Sequence, residues 1–389
     1  MKKATQADIA KALGISQATV ALVVGDTDSP LRQRLNPQTV LRIQEKAREL
    51  GYVPHRGAQM MRRGRSNLLA LLNFGGYSEL AAKRVYHVGR LIHKAGFDFQ
   101  TFDAYWWAGD AKPIVNQIIS MRPEGIIIVG SVQNDFGISH IEELTRQGIP
   151  IVTIGLAFEG VPRVRYDARS AFRTLTHWYL DKGRNHIVTV IPKAEQTLSW
   201  QVQERLKGFQ EAVTARSGRF PTVLNGFTLQ KMESNNGVAA ATIVSPTRKV
   251  PFAPFQWGMD AMESLLKWRE PANGIIGIND EFAIGALTVC ARNDIAVPDD
   301  IMVSGFDNLS YGTQGPVSLT SVEQPIEVMS EAAIEMLKQR LGKEPKLTPF
   351  PEEQIFPCEI IWRASTESSS AVSPTLSTGS SEPQRTPHA

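Results

Sequence analysis

The sequence predicts an α/β core of two doubly wound parallel-sheet subdomains, preceded by an all-α helix-turn-helix head. Three observations predict it. The first fifty residues hold three short helical patterns, each with its own cap. From Leu68 onward, short continuous apolar runs alternate with amphipathic stretches, the pattern of parallel strands covered on both faces by helices. That alternation then repeats, with a second series starting at NHIVTVIP.

The head comes first in the chain. Thr5 followed by Asp8 is a capping-box-like start, and Ile9, Ala12 and Leu13 fall on one helical face. Gly14 supplies a turn, Ser16 caps the next helix, and Val20, Val23 and Val24 give that helix an apolar side. Ser16, Gln17, Ala18, Ala21 and Leu22 are left facing outward, small or polar enough for a major groove. A helical hairpin that only packs is the plainer alternative. The polar loop GDTDSPLRQRL cannot continue the helix. A third helix is predicted from the Asn36 cap and Pro37, with Val40, Ile43, Ala47 and Leu50 buried and Gly51 ending it. Tyr52-Val53-Pro54 then leaves in extended form.

Charge separates this end from the rest. Residues 1–66 hold 12 Lys and Arg against 5 Asp and Glu, a balance of +7. The remaining chain holds 30 against 34, a balance of −4. A positive field confined to the helical end favours a phosphate backbone as partner over a merely solvated basic face. The segment HRGAQMMRRGRSN follows, too short to hold a helix alone. It reads either as a basic linker, or as one that folds on DNA with Met61 in the minor groove and arginines on phosphates.

The core begins with the run LLALLNF, a helix through Val85, Val88, Leu91 and Ile92, and DFQTFDA. A helix around Pro113–Met121, the run GIIIVG, a helix through Ile141 and Leu144, and IPIVTIG complete the first series. The second continues from NHIVTVIP through helices at Trp200–Ala215 and Glu281–Asn293 and the runs GIIGIND and IMVSGFD. Two such subdomains in tandem leave a cleft at the carboxyl ends of their strands, where open α/β sheets bind ligands.

Several classes of protein are disfavoured. No uninterrupted apolar run approaches about 18 residues, and MKKATQADIAKA lacks the apolar region of a signal peptide, so a cytoplasmic protein is expected. Cys290 and Cys358 suggest buried thiols rather than a disulfide framework or a zinc site. The seven histidines form no metal spacing, and neither a nucleophile elbow nor a Walker loop is present, so no enzyme, metal or cofactor is expected.

Taken together, DIAKALGIS-QATV, NPQTVLRIQEKARELGYVP and the spacing of Ala58, Met61 and Ser66 resemble the lactose-repressor/galactose-repressor (LacI/GalR) family of bacterial transcription regulators. The likeness continues through VRYDARSAFRTLTHWYLDKGRNHIVTV, QERLKGFQEAV, INDEFAIGAL, AVPDDIMVSGFDN and SLTSVEQP to WRAST at residues 362–366. It implies a head over residues 1–54, a hinge over 55–66 and a periplasmic-binding-protein-like core over 67–363. Within the core, the N-subdomain is expected at 67–162 plus 309–340 and the C-subdomain at 163–308 plus 341–363. The Ser-, Thr- and Pro-rich residues 364–389 are expected to be a disordered tail. The resemblance implies a homodimer, and the tail's lack of leucine heptads offers no coiled coil for tetramers. Residues 219–258 precede a helix at Met259–Trp268 and exceed the strand and turn that the resemblance implies there, so they read as an insertion over the cleft or at a dimer surface.

The resemblance also implies site residues. On the DNA side these are Thr5, Ser16, Gln17, Ala18, Thr19, Leu22, Ala58, Met61 and Arg62, reading a pseudo-palindromic double-stranded operator. The recognition helix of the family usually ends in Ser-Arg, here Ala21-Leu22, so guanine readout is replaced by apolar contact and the operator should differ. On the effector side they are Phe74, Asp167, Arg205, Asn279 and Asp280, to which Trp200 is added as an aromatic able to stack on a ligand, with a carbohydrate as the implied class of small molecule. Asp280 directly follows a strand, so its carboxylate is expected to enter the cleft, unless Asn279 and Asp280 only cap the next helix. Arg205 is expected on the ligand, the alternative being a surface ion pair with Glu204 or Glu211. Asp307 matches a family position but also suits a structural role. Trp200 and the pair Trp106-Trp107 suit stacking on a sugar or packing in the core. The expected function is an effector-controlled DNA-binding regulator, with repression the usual mode. A ligand sensor without promoter-specific DNA binding is the alternative.

Overall fold

The computed structural model describes residues 4–25, 31–53, 65–76, 78–104, 111–130, 138–155, 158, 160–191, 199–225, 234–244, 254–268, 271–342 and 352–367. Three helices form the head: α1 (Gln6–Leu13), α2 (Gln17–Val24) and α3 (Pro37–Glu49). Thr5 and Asp8 form the complete reciprocal capping box: the Thr5 hydroxyl accepts from the Asp8 N–H at 3.3 Å, and the Thr5 N–H donates to Asp8 Oδ2 at 2.8 Å. Ser16 accepts from the Thr19 N–H at 3.1 Å, and Asn36 from the Gln38 N–H at 2.8 Å. These caps place each helix start where the sequence puts it. The buried centre consists of Ile9, Ala10, Val20, Val23, Ile43 and Ala47. Ala12 and Leu50 are corrections, because both are exposed: Ala10 turns inward in place of Ala12, and Leu50 lies beyond the last turn of α3.

The first sheet of the core has the order β12-β5-β4-β3-β1-β2, all parallel. Its strands are β1 (Leu68–Asn73), β2 (Asp98–Asp103), β3 (Gly125–Val129), β4 (Ile151–Ile154), β5 (Arg163–Asp167) and β12 (Glu353–Pro357). Helices α4 (Glu79–Lys94), α5 (Lys112–Met121) and α6 (Ile138–Arg146) connect the first four strands. β3 and β4 are buried along their whole length, which is why GIIIV and IVTI carry no polar alternation.

The second sheet has the order β13-β11-β10-β9-β6-β8-β7, parallel except for β13. It contains β6 (His186–Ile191), β7 (Thr222–Asn225), β8 (Ala239–Val244), β9 (Gly274–Ile276), β10 (Met302–Phe306), β11 (Thr320–Glu323) and β13 (Glu359–Ile361). Its helices are α7 (Ala168–Asp181), α8 (Trp200–Ser217), α9 (Pro254–Leu265) and α10 (Asp280–Arg292). Helix α11 (Ile326–Lys338) returns to the first subdomain and packs on α4, β3, β4 and β5.

The chain crosses between the sheets three times, and each crossing corrects an expected boundary. β5 belongs to the N-subdomain, so the first crossing falls at Asp167–Ala168 rather than near residue 163. β11 belongs to the C-subdomain, so the return falls between Glu323 and Ile326 rather than at 309. β12 is a strand of the first sheet and β13 of the second, so the last crossing is at Cys358. Strand pairing decides these points, and neighbouring stretches of similar apolarity cannot reveal it.

Two further expectations change. Residues 219–258 supply two strands, β7 and β8, at the sheet edge, and α9 starts at Pro254 rather than Met259; 226–233 and 245–253 lie outside the described residues. The tail does not begin at 364. Ser365 and Thr366 are buried, the Ser365 hydroxyl accepts from the Thr320 N–H at 2.8 Å, and Thr366 and Thr320 hydroxyls lie 2.7 Å apart. Residues 368–389 lie outside the described ones.

Candidate functional site

Two places collect the residues singled out by sequence. The first is α2. The chain turns by 118° between α1 and α2, inside the range of a helix-turn-helix. Val20 and Val23 bury one side of α2, leaving Ser16, Gln17 and Ala18 exposed and Thr19 and Leu22 half-exposed. Thr5 is exposed at the start of α1. Ala58, Met61 and Arg62 lie outside the described residues, as do Trp106 and Trp107.

The second place is the seam between the subdomains, at the carboxyl ends of the strands. Both sheets reverse strand order beside their first strand, at β1/β3 and β6/β9, which is where such sheets hold ligands. Arg205, on α8, lies deep in this seam at 6% exposure, which removes the surface alternative; Glu211 instead pairs with Arg169, and Glu204 with Lys207. The guanidinium sits 3.7 Å above the centroid of the Phe306 ring. It donates to the Ile278 carbonyl and, at 3.2 Å, to the Tyr166 hydroxyl, and stands 3.6 Å from Asp307 Oδ1.

Asp307 is largely shielded just after β10, with φ +111°. Burial raises its carboxyl above the ordinary range, against the pull of Arg205 and Arg84. Its Oδ1 accepts from Gln324 Nε2 at 2.6 Å, and Gln324 Oε1 accepts from Arg84 Nη2 at 2.6 Å. A chain of polar contacts thus runs from α8 of one subdomain to α4 of the other. Sequence reasoning missed Arg84 and Gln324 as site residues. An arginine among the apolar positions of an amphipathic helix was the available signal for Arg84.

A parallel set of contacts stands nearer the surface. Glu79 accepts from the Ser310 N–H at 3.0 Å and its hydroxyl at 2.8 Å, and Lys83 reaches the Asn308 carbonyl at 3.3 Å. Burial opposes the charge on Glu79, but the bonds from Lys83 and Ser310 hold its carboxyl below the ordinary range. Across the cleft, the Gln201 amide of α8 donates to the carbonyls of Gly130 and Gly155, at the ends of β3 and β4. Gly130 has φ +110°, and a Cβ there would strike the Phe74–Gly75 backbone, so only glycine allows β1 and β3 to end this close together.

The remaining candidates take other places. Asn279 caps α10, accepting from the Phe282 N–H at 2.9 Å, and Asp167 caps α7, accepting from the Ser170 N–H at 3.0 Å. Trp200 is half-buried at the first turn of α8, with the Arg165 guanidinium 4.8 Å from its ring centroid. Phe74 is buried in the core of the first subdomain. Asp280 is a correction: its carboxylate does not project freely into the cleft. It is fully buried, with Oδ1 accepting from the Ser321 hydroxyl at 2.5 Å and Oδ2 from the Leu309 N–H at 2.7 Å. Burial pushes it up to about 7, opposed by the Ser321 bond and assisted by the neighbouring Asp307. Gly305 of β10 makes room for the Asp280 carboxylate there, since a Cβ at that position would strike its Oδ1.

Among the described residues, no group of three His, Cys, Asp or Glu converges as a metal site, and no single helix is long and apolar enough to cross a membrane. A two-subdomain α/β core with a polar seam, carrying a capped helix-turn-helix, defines the class of ligand-responsive DNA-binding regulators. Over most of its length the chain is similar to helix-turn-helix transcriptional regulators and repressors of the LacI/GalR kind. Residues 176–366 match the periplasmic binding protein-like domain family. The transcriptional regulator CelR of Thermobifida fusca is 23% identical over 348 residues, 86% of this chain and 91% of CelR. The repressor CytR of Escherichia coli is 23% identical over 93% of this chain and 96% of its own length. Among solved structures, a CelR–cellobiose complex matches with TM-score 0.60 at 22% identity, over 93% of this chain and 99% of that one. The Lac repressor bound to ONPG in its repressed state matches with TM-score 0.73 at 17% identity, over 94% and 100%. These relatives are regulators rather than enzymes.

Proposed function

We propose that this protein is a homodimeric repressor that binds a pseudo-palindromic operator and responds to a small carbohydrate-class effector held between its core subdomains. The carrying observation is the outward face of α2: Ser16, Gln17 and Ala18 stand exposed on a rigidly capped helix, at the end of the chain that carries a balance of +7. That combination suits phosphate attraction with base reading in a major groove. Thr5, Thr19 and Leu22 complete the reading surface, and in the hinge around Ala58, Met61 would enter the minor groove with Arg62 on a phosphate as the hinge folds on DNA.

In the core, Arg205 and Asp307 are the polar groups that ligand hydroxyls would meet, with Trp200 offering an apolar face. Asn279, Asp167 and Asp280 would act from behind, by holding α10, α7 and the 308–311 loop in place. A ligand that rearranges the contacts from α4 to residues 308–310 changes the angle between subdomains, and with it the spacing of two hinges in a dimer. A cytoplasmic location follows from this role.

Selection from a random duplex pool with the purified protein tests the reading. The expected result is an inverted repeat of about 14–20 base pairs, bound with a steep loss of affinity as salt rises. Salt-sensitive binding without enrichment, repeated with sugars present, would overturn sequence-specific regulation. Absence of any duplex binding would favour a ligand sensor that reads no promoter.

A further inference from the structure

We infer that the effector carries an anionic group, a carboxylate or a phosphate, clamped by Arg84 from α4 and Arg205 from α8. The inference rests on the reading of the seam as the effector site and narrows the class of ligand. Both arginines are deeply buried, at 7% and 6% exposure. They come from opposite subdomains, and between them stands a single carboxylate, that of Asp307. Asp307 spends its short bond on Gln324 at 2.6 Å and lies 3.6 Å from Arg205, beyond hydrogen-bond length.

The other charged groups nearby are already committed. Lys83 pairs with Glu79 at 2.9 Å, and Glu79 also takes Ser310. Asp280 has both oxygens engaged, by Ser321 and Leu309, and Asp167 caps α7. Tyr166 gives Arg205 a neutral hydroxyl. Two buried guanidiniums thus share, directly or through Gln324, one carboxylate, that of Asp307. Nε of each is buried without a partner, so donors remain unspent on both sides of the seam. A buried cation without a counter-charge is costly, and a planar guanidinium matches a carboxylate or phosphate edge with two parallel bonds. An anion placed between α4 and α8 would neutralise the excess and tie the two subdomains together at the same time. A neutral sugar could use the donors but would leave the charge uncompensated.

Titration of the full-length chain with matched pairs tests this: glucose against glucuronate, galactose against galacturonate, and glucose against glucose 6-phosphate, read by calorimetry. At least one acidic member is expected to bind roughly tenfold or more tighter than its neutral partner, a difference of one charge-assisted bond or more. The carboxylate and phosphate arms identify which anion fits. Arg84→Gln keeps a donor for Gln324 and is expected to abolish the preference, while Arg84→Lys, which keeps the charge, retains part of it. Equal or tighter binding of the neutral member overturns the inference and leaves the effector site standing. Unchanged acid affinity in Arg84→Gln also overturns it. If no member of any pair binds while operator binding persists, both the effector reading and this inference fail.

Discussion

The head and the seam solve opposite problems. The head is held by six small or branched apolar residues from three helices within fifty positions, and its chemistry stands on the outside. The seam joins groups far apart in sequence, such as Arg84 and Gln324, and its chemistry is buried charge. An exposed site is specified by local helix geometry. A buried one requires that two subdomains be correctly assembled first, because each charge is tolerable only beside its partner.

Four changes would break or sharpen that contrast. Ile43→Ala has the largest expected effect: it removes a fully buried side chain from a very small core, at about 2–5 kcal/mol. Duplex binding should be lost while the main thermal transition, that of the core, is unmoved. Retained DNA affinity would show the head is not an independent unit. Gly208→Ala is next. It drives a Cβ into the Arg169 carbonyl where α7 and α8 touch, at about 1–3 kcal/mol, and should lower the core transition while leaving the head helices intact by amide exchange.

Asp280→Asn should act through pH. The folded chain holds the Asp280 proton up to about 7, well above the range of an exposed carboxyl, so it binds more protons than the unfolded chain between about pH 4 and 7. Stability from this group therefore falls as pH rises through that window. Asparagine removes the slope, so the melting temperature of the variant should gain on the parent from pH 5 to pH 8. A constant difference would mean Asp280 does not titrate there. Ser16→Ala should be smallest, costing about 1 kcal/mol through the lost cap of α2. It should weaken operator binding by fraying the reading helix, without altering effector affinity.

How much of this was legible follows the same divide. The caps at Thr5, Ser16 and Asn36 were readable because each bonds within three residues of itself. The buried runs GIIIV and IVTI were readable because a strand covered on both faces leaves no exposed position and so no charged or alternating residues. Arg205 could be picked out by its motif, but its burial and its hold on Tyr166 and Ile278 could not. Asp280 was placed at the right helix start with the wrong outlook, since Ser321 and Leu309, which take its oxygens, lie some thirty to forty positions away.

The sequence by itself determined the order of helices and strands, the helix-turn-helix, the segregation of positive charge and the doubly wound pattern of both halves, because these rest on periodicity, local hydrogen bonds and composition. Only the tertiary structure decided which sheet received β5, β11 and β12, where the three crossings fall, and which charges share the seam. Those outcomes depend on strand pairing and on desolvation, which arise when distant segments exclude water together.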